Sequence, residues 1–282
     1  MPGKDTVEYG GNTTCIEITT AANDHIIIDA GTGIRVLGDA LLQSEFGKGM
    51  GKAYIFFTHS HWDHIQGFPF FAPAYIGKRD ATGNRVKGEC NEFYLYGASD
   101  VNGRLEGVLR GQMDNRYFPV DLNYLSSCIY FGSFVNHEVQ IGSVKVTAFK
   151  LLHPNGVLGY RIEEQNKIAV IATDCEHPAE NETDKNLLKH AKDADLLIYD
   201  GQYTEQEYSP KKFGLKIPSK KGFGHSTPKQ GVLAAIATKA KKLIITHHEP
   251  THNDAKLRQM EEETKQMFEN SMFAKEGLEI TL

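Results

Sequence analysis

The sequence predicts an α/β fold built in layers, and three observations carry that expectation. Short β-branched or aliphatic runs recur along the chain, helical signals fall between them, and polar residues gather at the ends of the runs. The runs are residues 26–29, 53–57, 144–151, 168–172, 196–199 and 243–245, and each is apolar enough to be a strand buried within a sheet. Between the later runs, Thr227-Pro228-Lys229-Gln230 offers an N-cap, a proline at the first helical position and a capping-box glutamine. The helix it opens carries Val232, Leu233, Ile236 and Ala240 on its apolar side, and a second helix from Asp254 carries Leu257, Met260, Met267 and Phe268.

Composition narrows the setting. The chain has 282 residues, 40% apolar and 24% charged, enough to bury a full core. It is expected to form a single domain over 1–282. Residues 77–135, rich in Gly, Asn and Tyr, break the alternating pattern and read as an insertion or lid. A formal charge of -5 gives no electrostatic reason to bind nucleic acid. Lys211, Lys212, Lys216, Lys220 and Lys221 read as a solvated loop. No run approaches the ~18 apolar residues of a membrane helix, and the N-terminal residues lack the apolar core of a signal peptide. Cys15, Cys90, Cys128 and Cys175 are scattered with no CxxC pair, so they read as buried thiols in a protein of the reducing cytoplasm.

The ends of the runs carry the chemistry. Phe56-Phe57 leads to Thr58-His59, Leu151-Leu152 to His153, Ala172-Thr173 to Asp174, Ile198-Tyr199 to Asp200, and Ile245-Thr246 to His247. Strand ends along one edge of an α/β sheet are where ligands bind, and His and Asp delivered there by separate strands suit a metal. Residues 58–71, THSHWDHIQGFPFF, concentrate the signal: His59, His61, Asp63 and His64 fall within six consecutive positions. An extended segment points His59 and His61 to one side, and Asp63 and His64 follow as the chain turns into a helix. Imidazole and carboxylate suit zinc, iron or manganese. Trp62 and Ile65 read as the packing residues between them. A lone histidine is more often a satisfied structural residue, and His25, His137, His177, His190 and His252 are read as surface or loop histidines.

His59-Ser60-His61-Trp62-Asp63-His64 resembles the HxHxDH signature of the metallo-β-lactamase superfamily, and His153, Asp174 and His247 stand where that superfamily places its later ligands. The resemblance implies an αββα sandwich, two mixed β-sheets flanked by helices. It also implies two divalent metal ions per chain, zinc first, with manganese or iron as alternatives. His59, His61 and His153 would hold one metal, and Asp63, His64 and His247 the other, with Asp174 bridging. His247 is preferred to its neighbour His248 because Thr246-His247-His248-Glu249-Pro250 resembles the family's Thr-His-x-x-Pro.

Further stretches place the chain nearest the phosphodiesterase branch, which holds ribonuclease Z, PhnP-like enzymes and bacterial 3',5'-cyclic-nucleotide phosphodiesterases. They are YGGNTTCIEI (9–18), IIIDAGTGIRVLG (26–38), HIQGFPFFAPAY (64–75), YFPV (117–120), DGQYTEQEY (200–208) and GHST (224–227). The last group looks most similar. The resemblance implies hydrolysis of a phosphodiester bond, first of all in a cyclic nucleotide, by a hydroxide bridging the two metals. Asp63 would orient it, and His225, paired with Asp200, would protonate the leaving oxygen. Asp29, Thr32 and Gly33 would support the site from behind. In the 77–135 stretch, Arg104, Arg110, Arg116 and Tyr117 offer contacts to a small phosphate.

Two features depart from the branch. Few residues precede the Gly-Gly-Asn-Thr element, so a first strand is expected to be missing, and no long arm for gripping transfer RNA is evident. An RNA nuclease of the ribonuclease Z type, processing transfer-RNA 3' ends, is the alternative. A non-hydrolytic redox or sensing protein on the same fold ranks below it. No membrane partner is expected, and a homodimer is possible by analogy with relatives.

Overall fold

A computed structural model describes residues 3–97, 105–134 and 136–282. The chain divides into two compact units, Thr13–Val135 and a discontinuous one made of Met1–Asn12 with Asn136–Leu282. The elements below are those of the described residues.

The first unit contains β1 (Ile16–Thr19), β2 (His25–Ile28), α1 (Gly33–Leu41), β3 (Lys52–Phe56), α2 (Trp62–Ile65), β4 (Gly77–Arg79), β5 (Arg85–Cys90), β6 (Glu92–Tyr96), α3 (Leu105–Gln112) and β7 (Cys128–Phe131). Five of its strands form one mixed sheet in the order β1-β2-β3-β6-β7. β1 runs antiparallel to β2, and the remaining pairs are parallel. Ile26, Ile27 and Ile28 are all fully buried, because β2 lies inside the sheet and neither face meets water. Ile27, Ile55, Phe57, Phe68, Phe71 and Phe93 belong to this unit's apolar core.

Within 77–135, β6 and β7 complete the main sheet, whereas β4 and β5 form a separate antiparallel ribbon. Arg110 bonds Glu106 and Asn123, and exposed Arg116 bonds Asp114. Tyr117 is exposed, and Arg104 lies outside the described residues. The cysteine expectation needs correction, since Cys90 and Cys128 are joined by a disulfide with Cα atoms 6.0 Å apart. β5 and β7 bring together residues 38 positions apart, a pairing that spacing alone does not reveal. The inference from scattered thiols to a reducing compartment thereby loses its premise. Cys175 is a buried thiol, and Cys15 is partly exposed.

The second unit contains β8 (Glu138–Ile141), β9 (Val144–Leu151), β10 (Val157–Glu164), β11 (Lys167–Ala172), α4 (Lys185–His190), β12 (Leu196–Asp200), α5 (Glu205–Tyr208), α6 (Pro228–Thr238), β13 (Leu243–Thr246), α7 (Asp254–Met267) and β14 (Ser271–Phe273). They form a seven-stranded sheet in the order β14-β13-β12-β11-β10-β9-β8. β11 to β14 are parallel and β8 to β11 antiparallel. The five-stranded and the seven-stranded sheet are therefore both mixed.

Thr227 caps α6 by accepting from the Gln230 amide, as the sequence predicts. Val232, Leu257 and Met260 enter the core, while Ile236 and Met267 face solvent and do not. Residues 3–9 form turns, not a strand, and are tied to α7. The Glu8 and Tyr9 amides donate to Asp254, and the Tyr9 hydroxyl donates to Glu261 at 2.7 Å. Among the described residues no helix is long and apolar enough to cross a membrane.

Candidate metal centre

In the first unit β3 ends at Phe56, and the chain turns through Thr58 to Ser60 into α2, whose first turn carries Asp63. His59 Nε2 and His61 Nδ1 lie 2.9 Å apart, and the His59 and His64 ring centres 4.3 Å apart. His64 is fully buried; its Nδ1 meets Asp29 Oδ2 at 2.7 Å, and its Nε2 lies 3.3 Å from Asp63 Oδ2. Asp29 also accepts from the Thr58 amide at 2.8 Å and from the Thr58 hydroxyl. Burial pushes the Asp29 carboxyl up, against the pull of His64 and Thr58. Thr32 exchanges hydrogen bonds with Thr13, fixing the loop before α1. Trp62 does not pack as expected: it is 78% exposed, whereas Ile65 is buried. A helix of one turn leaves its first position facing water.

In the second unit the ends of β9, β11, β12 and β13 supply His153, Asp174, Asp200 and His247. His153 Nδ1 bonds the Gly224 carbonyl at 2.8 Å, which directs Nε2 the other way. Gly224 has φ +90°, and a Cβ there would meet His153 Nδ1 at 2.2 Å, so both conformation and space require glycine. Asp174 accepts from the Thr173 hydroxyl and faces His247 Nε2 at 3.3 Å. Asp200 accepts from His225 Nδ1 at 2.8 Å and from the Ser226 amide at 2.9 Å. The His225 and His247 rings stack 4.8 Å apart. One ligating atom from each of Asp174, Asp200, His225 and His247 lies within 4.8 Å of the others.

His248 points elsewhere. Its Nε2 bonds the Ala274 carbonyl, its ring stacks on Phe273, and burial pushes its pKa down to about 4.

The donors suit a divalent metal. The first unit gathers imidazoles with one carboxylate, and the second gathers imidazoles and carboxylates at one sheet edge. His64 and His153 each commit Nδ1 to a carboxylate or a backbone carbonyl, the support that orients a metal-binding imidazole.

The sequence reading missed three side chains. Glu176 accepts from the Tyr208 hydroxyl and from the Gly222 and Gly224 amides, so it holds the loop leading to His225. Its place just beyond Asp174 at a strand end was the available signal. His177 and His252, read as surface or loop histidines, lie in loops but are buried: His177 Nδ1 meets Ser226 Oγ at 2.9 Å, and His252 Nε2 meets Glu207 at 2.9 Å. Burial lowers the His177 pKa.

Similarity to known proteins agrees with this fold. Residues 24–248 match the family described as Beta-lactamase superfamily domain. A ribonuclease Z of Bacillus velezensis is 22% identical over 279 residues, covering 81% of this chain and 80% of that protein. The metallo-β-lactamase fold protein YhfI of Bacillus subtilis superposes with a TM-score of 0.62 at 16% identity, over 94% of this chain and 90% of that one. A diphosphatase of the PhnP family superposes with a TM-score of 0.60 at 18% identity, over 96% of this chain and 84% of that one. The chain belongs to the beta-lactamase superfamily and has the metallo-β-lactamase fold.

Proposed function

We propose that this chain is a metal-dependent hydrolase of phosphodiester bonds, acting first of all on a cyclic nucleotide. The observation that carries the reading is the Asp200–His225 pair, 2.8 Å apart, set beside Asp174 and His247 at one sheet edge. His59, His61 and His153 would hold one divalent ion and Asp63, His64 and His247 the other, with Asp174 shared between them. Zinc is the first candidate, with manganese or iron as alternatives. Such ions, when bound, make a nucleophile available near neutral pH and neutralise charge on phosphoryl oxygens.

The chain's own groups supply the rest. His225 commits Nδ1 to Asp200, which leaves Nε2 to carry a proton towards the departing oxygen, and the carboxylate stabilises the imidazolium. Asp63, in the first turn of α2, orients the attacking water. Gly224 and Glu176 hold the loop that presents His225 and the carbonyl that orients His153.

The similarity to ribonuclease Z favours a second reading, a nuclease acting on transfer-RNA ends. The net charge of -5 opposes it, because tight RNA binding draws on a basic surface. The two readings separate in one assay set: metal-reconstituted protein with bis(p-nitrophenyl) phosphate, 3',5'-cyclic AMP and a transfer-RNA precursor. Cleavage of the first two supports the small-substrate reading. Cleavage of the precursor alone moves the substrate to RNA, and inactivity on all three with bound metal overturns the phosphodiesterase reading.

A further inference from the structure

A cavity of about 470 Å³ lies wholly within the second unit, walled by the end of β9, the loop after β11, α5 with the turn that follows it, and the first turn of α6. His153 stands on its wall, so the cavity adjoins one of the proposed metal ligands. Its size falls within the range of small-molecule sites.

Two groups on that wall are built for an occupant. Gln230 is 3% exposed and lines the cavity, and among the described residues no hydrogen bond to its side-chain amide is found. His177 is 5% exposed, and its Nδ1 meets Ser226 Oγ at 2.9 Å, the one side-chain hydrogen bond found for it among the described residues. The Tyr199 hydroxyl donates to Ser226 Oγ, which leaves the serine's own hydrogen for His177 Nδ1. With Nδ1 accepting from Ser226, the ring carries its proton on Nε2, and the wall offers an imidazole N–H beside an amide that both donates and accepts. Both side chains line the cavity, and a polar ligand seated there would supply the hydrogen bonds that the described residues do not.

Apart from Lys221, whose ammonium lies 5.8 Å from the Tyr208 ring centre, the charged groups around the cavity are engaged: Glu176 accepts three hydrogen bonds, Lys212 pairs with Glu180, and Glu205 accepts from Thr227. The wall therefore favours a flat, neutral group with alternating donors and acceptors over an anion. The tilted His177 and Tyr208 rings, 4.6 Å apart, add an aromatic surface.

We propose that this cavity receives the nucleobase of the substrate, Gln230 pairing with a donor–acceptor edge such as that of adenine and His177 donating to a further acceptor. The assignment of the occupant as part of a substrate rests on the phosphodiesterase reading; the base site itself does not.

Adenosine binding to the metal-free protein tests it by isothermal titration, with circular dichroism to confirm folding. Wild type is expected to bind adenosine, and Gln230→Leu about tenfold more weakly. If Gln230→Leu fails to fold, Gln230→Glu, which keeps an acceptor and loses the donors, serves in its place with the same expected loss. In the metal-loaded enzyme KM for 3',5'-cyclic AMP should rise about tenfold with kcat retained. No adenosine binding by folded wild type at millimolar concentration, or equal binding by the variant, overturns the proposal. Adenosine binding by a protein that hydrolyses no phosphodiester keeps the base site and overturns only the enzymatic reading.

Discussion

Asp29→Asn isolates the support of one proposed ligand from the ligand itself. The carboxylate accepts from the Thr58 amide through Oδ1 at 2.8 Å, and Oδ2 meets the Thr58 hydroxyl at 2.8 Å and His64 Nδ1 at 2.7 Å. An asparagine that keeps the amide contact places its NH2 where Oδ2 stood, opposite His64 Nδ1–H. Two donors then face each other, and the bond is recovered only if His64 moves its proton to Nε2. That nitrogen lies 3.3 Å from Asp63 and is the one proposed to bind metal, so the swap removes the lone pair the metal needs. Losing such a supporting carboxylate costs 10–100-fold in metal affinity, roughly 1.4–2.7 kcal/mol.

The metal-free fold should suffer less. Burial already pushes the Asp29 carboxyl up, so a neutral amide of the same shape removes a desolvated charge along with the hydrogen bond. Competition against a chromogenic chelator gives the affinity, and thermal unfolding of the metal-free proteins gives the stability. Unchanged affinity, within about threefold, would remove His64 from the ligand set. A loss of stability as large as the loss of affinity would mean that the pair is structural.

Three other outcomes are expected. His225→Ala should keep the metal content of the wild type and lose about 10²–10⁴-fold in kcat on bis(p-nitrophenyl) phosphate; unchanged turnover would remove His225 from the mechanism, and lost metal would make it a ligand. Reducing the Cys90–Cys128 bridge, which closes a loop of sequence separation 38, should destabilise the fold by about 3–4 kcal/mol in urea unfolding; identical midpoints with and without reductant would show that the bridge adds no stability. Burial works to raise the Glu207 pKa, but hydrogen bonds from His252 and Thr204 outweigh it and hold the group at about 2, well below the ordinary glutamate value of 4.5. Its contribution is therefore full above pH 4.5 and fades towards pH 2. Glu207→Gln should cost about 1–2 kcal/mol at pH 7 after allowance for screening and cost little near pH 2. A gap that does not change with pH would contradict this.

The strands that sequence made legible are those whose burial is nearly complete. All six aliphatic runs became strands, because a strand inside a sheet that is covered on both faces needs apolar residues on both. β10, reading VLGYRIEE, and the short β1 and β14 carry no such run, and α1 escaped because its first residue is a glycine. Distance in sequence hid the rest. The bridge between Cys90 and Cys128 spans 38 positions, and His252 owes its burial partly to Glu207, 45 positions away. A histidine's setting follows from its partners, and one sequence without those partners assigns the exposed setting by default. Trp62 failed in the opposite sense, since its size argued for packing in a helix too short to enclose it.

The second unit shows why the polar residues had to stand at strand ends. β11, β12 and β13 are parallel and paired in step: Ala172 lies opposite Tyr199, Tyr199 opposite Ile245, and Asp200 opposite Thr246. Neighbouring strands are about 4.8 Å apart, so residues just past the last paired rung are placed side by side without any long loop. Asp200 stands on the last rung and Asp174 and His247 just past it, and their ligating atoms fall within 4.8 Å. Asp174 and His247 leave the sheet through left-handed backbone, φ 52° and 60°, and Asp29 does the same after β2 at φ 64°. That conformation costs an ordinary residue roughly 1–2 kcal/mol, and glycine is the residue that adopts it freely. A chain shaped for stability alone would place glycine at such positions. Holding Asp and His there accepts local strain at the strand exits in exchange for a carboxylate or imidazole aimed along the sheet edge, and such strain persists only where the surrounding structure determines it.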